Sequence, residues 1–284
     1  MSLTVTVLGA TGGQGGAVAR ALLDQGHMVR AVVRDPAGNK ARTLRSVGAE
    51  VVPGDMTDTG SLSRAFTGAD AAFAVTTPFE RGPEAEVEQG KAIVRAAVSS
   101  ALPHLVLSSV ASAQRRTGVP HFESKAQIED FLASEGPAAT VVAPVYFYDN
   151  LLGDLPSVLA GVLRLPLPAD RPLQQVSRED FGALVAAVVA DRERHLGQRV
   201  EVASDSPTPA EMAVALGHAF GLPVIAETIL LGSGSASADM RAMWDFLGRE
   251  GYDVDLQALH AAYPTVSWTG FQDWADRLRE IARV

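Results

Sequence analysis

Cysteine is absent from the 284 residues, which excludes disulfides, thiolate nucleophiles and cysteine-held metals. Positive charge is scarce: 24 Lys and Arg stand against 33 Asp and Glu, a formal net charge of −9. That balance argues against a direct grip on nucleic acid, which needs a basic footprint, and against anionic membranes. No apolar run approaches the roughly 20 residues of a membrane span. The chain enters its first strand at once, leaving no room for a signal peptide, so a soluble cytoplasmic protein is expected. His27, His104, His195, His218 and His260 are scattered without metal-ligand spacing, and no metal site is expected. Internal repeats and low-complexity tracts are also missing.

What is present is apolar: 47% of residues are hydrophobic, enough for a sizeable core. The informative stretch is Leu3 to Gly16, LTVTVLGATGGQGG. A buried strand runs through Thr4–Leu8, a glycine turn follows, and a helical pattern begins. Such a turn presents bare backbone amides at a helix N-terminus, which favours a pyrophosphate. Gly9 lets the chain leave the strand sharply, Gly12 gives phosphate room, and Gly15 lets the helix pack closely. Thr11 and Gln14 belong to the same cradle. No Gly-Lys-Ser/Thr closes the motif, so a phosphate-loop NTPase is disfavoured.

Strands then alternate with helices: Met28–Val33, Glu50–Val52, Ala71–Val75, Leu105–Leu107 and Thr140–Val142 are read as strands two to six. The expected fold is α/β, a doubly wound parallel Rossmann sheet ordered 3-2-1-4-5-6, with a smaller α+β C-terminal lobe. Residues 1–150 are assigned to the first domain and 151–284 to a substrate or partner lobe, with 177–190 packing back onto the first domain. Gly232–Ser235 reads as a flexible joint, and Trp244, Trp268 and Trp274 as packing residues on helices. In the helix Pro83–Ser99, Val87, Lys91, Val94 and Val98 lie roughly on one face; its charged outer face is a candidate dimer contact, so monomer and homodimer stay open.

Arg34, just past the second strand, replaces the acid that would hold a ribose 2′-hydroxyl. A guanidinium there pairs a 2′-phosphate, so NADP(H) is favoured over NAD(H), with Asp35 next door as a complication. Thr76 and Thr77 leave the fourth strand beside Gly9 in the expected order and should line the cofactor crevice. Tyr146, Phe147 and Tyr148 follow the sixth strand, either as an aromatic wall by the nicotinamide or as core.

The spacing Gly9-x-x-Gly12-x-x-Gly15 resembles atypical short-chain dehydrogenases. With Arg34-Asp35-Pro36, Gly48–Asp55, Ser108-Ser109, His121–Lys125 through Ile128-Glu129, and Pro144–Phe147, the chain resembles the NmrA-like family over about its first 150 residues. The resemblance implies NADP binding, with Asp55 and Met56 on the adenine and Pro144 and Tyr146 completing the cofactor set. It implies either a reductase, for instance of quinones, or a non-catalytic redox sensor acting through a regulatory protein partner. The superfamily's Tyr-x-x-x-Lys pair is incomplete: Lys125 is in place, suited to the nicotinamide ribose, but His121 holds the tyrosine position. His121 is thus a candidate proton donor or a packing residue at the helix start.

Overall fold

The computed structural model describes residues 2–232 and 236–282. Most of the expected joint, Ser233–Ser235, lies outside them. The chain divides into two compact units: Met1–Arg116, His121–Ala143 and Phe181–Glu201; and Thr117–Pro120, Pro144–Asp180 and Val202–Val284.

The first unit is built on strands β1 (Thr4–Val7), β2 (Met28–Val33), β3 (Glu50–Pro53), β4 (Ala71–Val75), β5 (Leu105–Ser108) and β6 (Ala139–Pro144). They lie in the order 3-2-1-4-5-6, and Arg199–Val202 adds a seventh strand beside β6. The registered pairs from β1 to β6 are all parallel. Residues such as Val5, Val7, Ala72, Phe73, Leu105 and Val106 are fully buried because helices cover both faces, which is why β4 and most of β5 read as continuous apolar runs. The helices are α1 (Gly13–Asp24), α2 (Asn39–Ser46), α3 (Thr59–Phe66), α4 (Pro83–Ser99) and α5 (Pro120–Glu135).

Helix Arg178–Ala190 brings Phe181 edge-on to Phe73, with ring centroids 6.0 Å apart. A Cβ on Gly182 would stand 2.7 Å from the Ala17 carbonyl oxygen, so glycine lets this helix lie against α1. The expected inward face of α4 needs correction. Val98 is half exposed and Lys91 only partly buried, whereas Gly90, Ile93, Val94 and Ala97 are buried. Close approach to α5 explains the rotation, since a Cβ on Gly90 would meet Ile128 at 2.5 Å.

His104 is buried beside β5 and hydrogen-bonds Thr140 at 2.8 Å. The Thr140 hydroxyl donates to the His195 carbonyl, so it must accept from His104 Nε2–H. Nδ1 is then bare and has no partner, which requires a neutral imidazole. Burial accordingly pushes the pKa down from 6.5 to about 4. The native state resists a proton that the unfolded chain accepts, so this stabilisation is complete above pH 6.5 and fades as pH falls towards 4. In urea melts, His104→Gln should lose up to about 3 kcal/mol less than the parent between pH 7 and pH 4. Equal acid sensitivity would refute this.

The second unit holds two small parallel pairs, Tyr146–Phe147 with Gln175–Val176 and Val162–Leu165 with Ile225–Thr228. Helix Pro209–Phe220 starts from a reciprocal Thr208–Glu211 capping box. Tyr148 packs on Phe271 and Trp274 and donates to the Thr269 carbonyl at 2.9 Å. Thr269 and Ser204 in turn donate to the buried Asp180 carboxylate, and Ser177 accepts from the Asp180 amide. Trp268 lies outside any helix and stacks on His260 with centroids 4.3 Å apart. Among the described residues no helix is long and apolar enough to cross a membrane.

Candidate functional site

Gly9 turns the chain out of β1 with φ +70, a conformation that favours glycine. Its neighbour in the sheet is β4, so the turn opens at the point where the strand order reverses, where α/β folds bind ligands. The N-cap of α1 is Gly12, which has no side chain to satisfy the helix's first amides, and no acid sits in the first turn. The positive end of α1 is therefore left for an external anion. A Cβ on Gly15 would lie 2.4 Å from Gly9 backbone atoms, so the close approach is to the turn itself. Thr11 and Gly12 are exposed. Gln14 accepts a hydrogen bond from Ser108 at 2.7 Å, tying the cradle to the end of β5.

Arg34 lies beyond β2 and forms a two-pronged ion pair with Glu80, at 3.1 and 3.3 Å. Asp35 accepts from the Ala37 amide at 3.0 Å, which commits one of its oxygens to a local turn. Asp55 does the same with the Thr57 amide and hydroxyl, and these bonds hold its carboxyl below the usual carboxylate range. Met56 packs on the core through its partly buried side chain.

The densest cluster lies at the end of β4. Lys125 Nζ is 2.9 Å from Glu86 Oε1 and donates to the Thr76 carbonyl at 2.9 Å and the Thr76 hydroxyl at 2.8 Å. The Thr76 hydroxyl donates onward to Glu86 at 3.0 Å, and Ser124 donates to the second Glu86 oxygen. Glu86 is fully buried, and burial pushes the Lys125 ammonium down, partly offset by Glu86. An ammonium has three N–H donors, and here all three are engaged within the protein.

The serines of the superfamily position are bonded within the protein, Ser108 to Gln14 and Ser109 to Glu129. His121 is partly buried, its ring 5.9 Å from Phe79 and 4.7 Å from Phe122. Thr77 takes a long bond, 3.4 Å, from the Phe79 amide. Pro144 and Tyr146 belong to the second unit, where Tyr146 packs on Trp244 with centroids 5.4 Å apart and burial raises its phenol pKa. Tyr148 is core rather than a wall. Sequence reading missed Glu86 and Glu80; Glu86 reads as an ordinary first-turn acid of α4.

A doubly wound parallel sheet with an uncapped glycine turn at its reversal point defines the Rossmann class. Within that class, the chain belongs to the NmrA-like family, whose sequence model matches residues 1–275. The NmrA-like family domain-containing oxidoreductase notA of Aspergillus sp. (strain MF297-2) is 35% identical over 239 residues, 74% of this chain and 70% of that one. The Escherichia coli NADPH-dependent quinone oxidoreductase QOR2, solved with NADPH, has a TM-score of 0.82 at 22% identity, covering 96% of this chain and 99% of that one. NmrA, a negative transcriptional regulator solved with NADP, has a TM-score of 0.81 at 20% identity, covering 99% of this chain and 96% of that one. At such identities the structural likeness concerns the fold.

Proposed function

We propose that this chain binds NADP(H) and acts as an NADPH-dependent oxidoreductase on a small apolar acceptor such as a quinone. The observation that carries the reading is the α1 N-terminus, which has neither a capping side chain nor a first-turn acid and opens at the sheet's reversal point. The missing Cβ of Gly15 lets the turn close on itself, and that of Gly12 leaves room for a pyrophosphate to approach it. Gly9, Thr11, Gly12, Gln14 and Gly15 hold the pyrophosphate, Arg34 the 2′-phosphate, and Asp55 and Met56 the adenine. Thr76 and Thr77 face the nicotinamide half. Bound NADPH supplies a hydride. Lys125 works mainly by fixing Thr76, because its donors are already engaged. A quinone takes its protons from water once reduced, so no phenol is required.

A second reading, an NADP(H) sensor acting through a partner protein, is favoured by one observation. Lys125, Ser108 and Ser109 are each bonded to other protein groups rather than poised around a proton donor. Following NADPH absorbance with a panel of quinones separates the two. Turnover is expected, with His121→Ala retaining kcat within about threefold. Tight binding of NADPH without turnover on any acceptor would favour the sensor, and no binding of either dinucleotide would end both readings.

A further inference from the structure

The loop after β4 carries Glu80 to the end of β2. Glu80 reaches Arg34 with both carboxylate oxygens, Oε2 3.1 Å from one guanidinium nitrogen and Oε1 3.3 Å from the other. That fork is the geometry with which a guanidinium clasps two phosphate oxygens. The pair is exposed, Arg34 by 67% and Glu80 by 52% of their side chains, and an ion pair this open to water is weak. The segment carrying Glu80 is a tight turn, closed by the Gly82 amide on the Pro78 carbonyl at 2.7 Å. It fixes the backbone of Glu80 within side-chain reach of Arg34.

Resting on the reading of Arg34 as the 2′-phosphate ligand, we propose that Glu80 is a specificity-determining residue that competes with that phosphate. In the absence of the 2′-phosphate, Glu80 occupies the guanidinium fork. A phosphomonoester carries nearly two negative charges at neutral pH and displaces a carboxylate from the same donors. NADPH must break the pair and bring its phosphate beside an acid; NADH leaves the pair intact. Glu80 therefore lowers the preference for NADPH that Arg34 creates. Arg81 lies on the same turn, and it and Arg34 add to the lowering of the Asp55 pKa that the Thr57 hydrogen bonds chiefly cause, so a second cation stands at this end of the crevice.

The test is calorimetric titration of the full chain with NADPH, NADH, 2′,5′-ADP and 5′-AMP. Glu80→Gln should bind NADPH and 2′,5′-ADP about three- to tenfold more tightly, with NADH and 5′-AMP within about twofold. Glu84→Gln removes the same charge from the exposed first turn of α4 and should change none of the four affinities by more than about twofold. In an Arg34→Ala background the Glu80→Gln gain should vanish, because the two residues act on one group. Unchanged NADPH affinity in Glu80→Gln, or an equal gain for NADH, overturns the proposal alone. A parent protein that binds neither dinucleotide brings down the cofactor reading and the proposal with it.

Discussion

Glu86→Leu should lower the unfolding free energy by about 3–5 kcal/mol, and Lys125→Met by a similar amount. Each leaves the other member as a charge inside the protein, with Glu86 fully buried and the Lys125 side chain only 9% exposed. Desolvating a lone ammonium or carboxylate costs several kcal/mol, and at this depth no water screens it. The double variant should recover most of the loss, to within about 1–2 kcal/mol of the parent, because two apolar side chains replace two charges together. What it does not recover is the bonding of the Thr76 and Ser124 hydroxyls, which lose their shared acceptor. Guanidinium melts of the four proteins at one pH measure the cycle. A loss below about 1 kcal/mol in either single variant would mean that the cluster is wet and the pair screened.

The limits of sequence reading follow from the same cluster. Strand β4 is legible because it is buried on both faces and apolar throughout, whereas β1 alternates threonine with valine and β2 is interrupted by Arg30. The glycine turn is legible because its spacing is tied to one backbone geometry. Glu86 looks like any charged residue in the first turn of a helix, where acids are favoured by the dipole. Its burial depends on Lys125, which is distant in sequence and brought to it only by the packing of α4 on α5. Arg34 was legible as a cation but not as the partner of Glu80, because ion pairing across the crevice leaves no trace in spacing. The strand Arg199–Val202 is visible in sequence, but its place beside β6 is a matter of topology. In the second unit the helices Leu155–Leu159 and Leu256–Ala262 and the strand Val162–Leu165 are too short for periodicity to declare them. Arg164, exposed in that strand and paired with Glu227, hides the run further.

Gly15→Ala should abolish dinucleotide binding in practice, weakening it by at least about 30-fold, and should also destabilise the fold by about 1–3 kcal/mol. The added methyl would stand 2.4 Å from both the carbon and the oxygen of the Gly9 carbonyl and 2.8 Å from the Ala10 amide nitrogen. All three are backbone atoms, so relief requires the turn or the start of α1 to move, and both define the proposed cradle. Gly12→Ala makes a sharper probe. Gly12 has φ −103 and ψ −178, which any residue adopts, and its Cβ would meet only the Gly9 carbonyl oxygen at 3.3 Å. Its melting should stay within about 1 kcal/mol of the parent while affinity for NADPH and NADH falls at least about tenfold. The contrast between the two glycines carries the argument: one is needed for the turn to exist, the other for something to approach it. If Gly12→Ala binds both dinucleotides as the parent does, the amides at the head of α1 are not where the pyrophosphate sits.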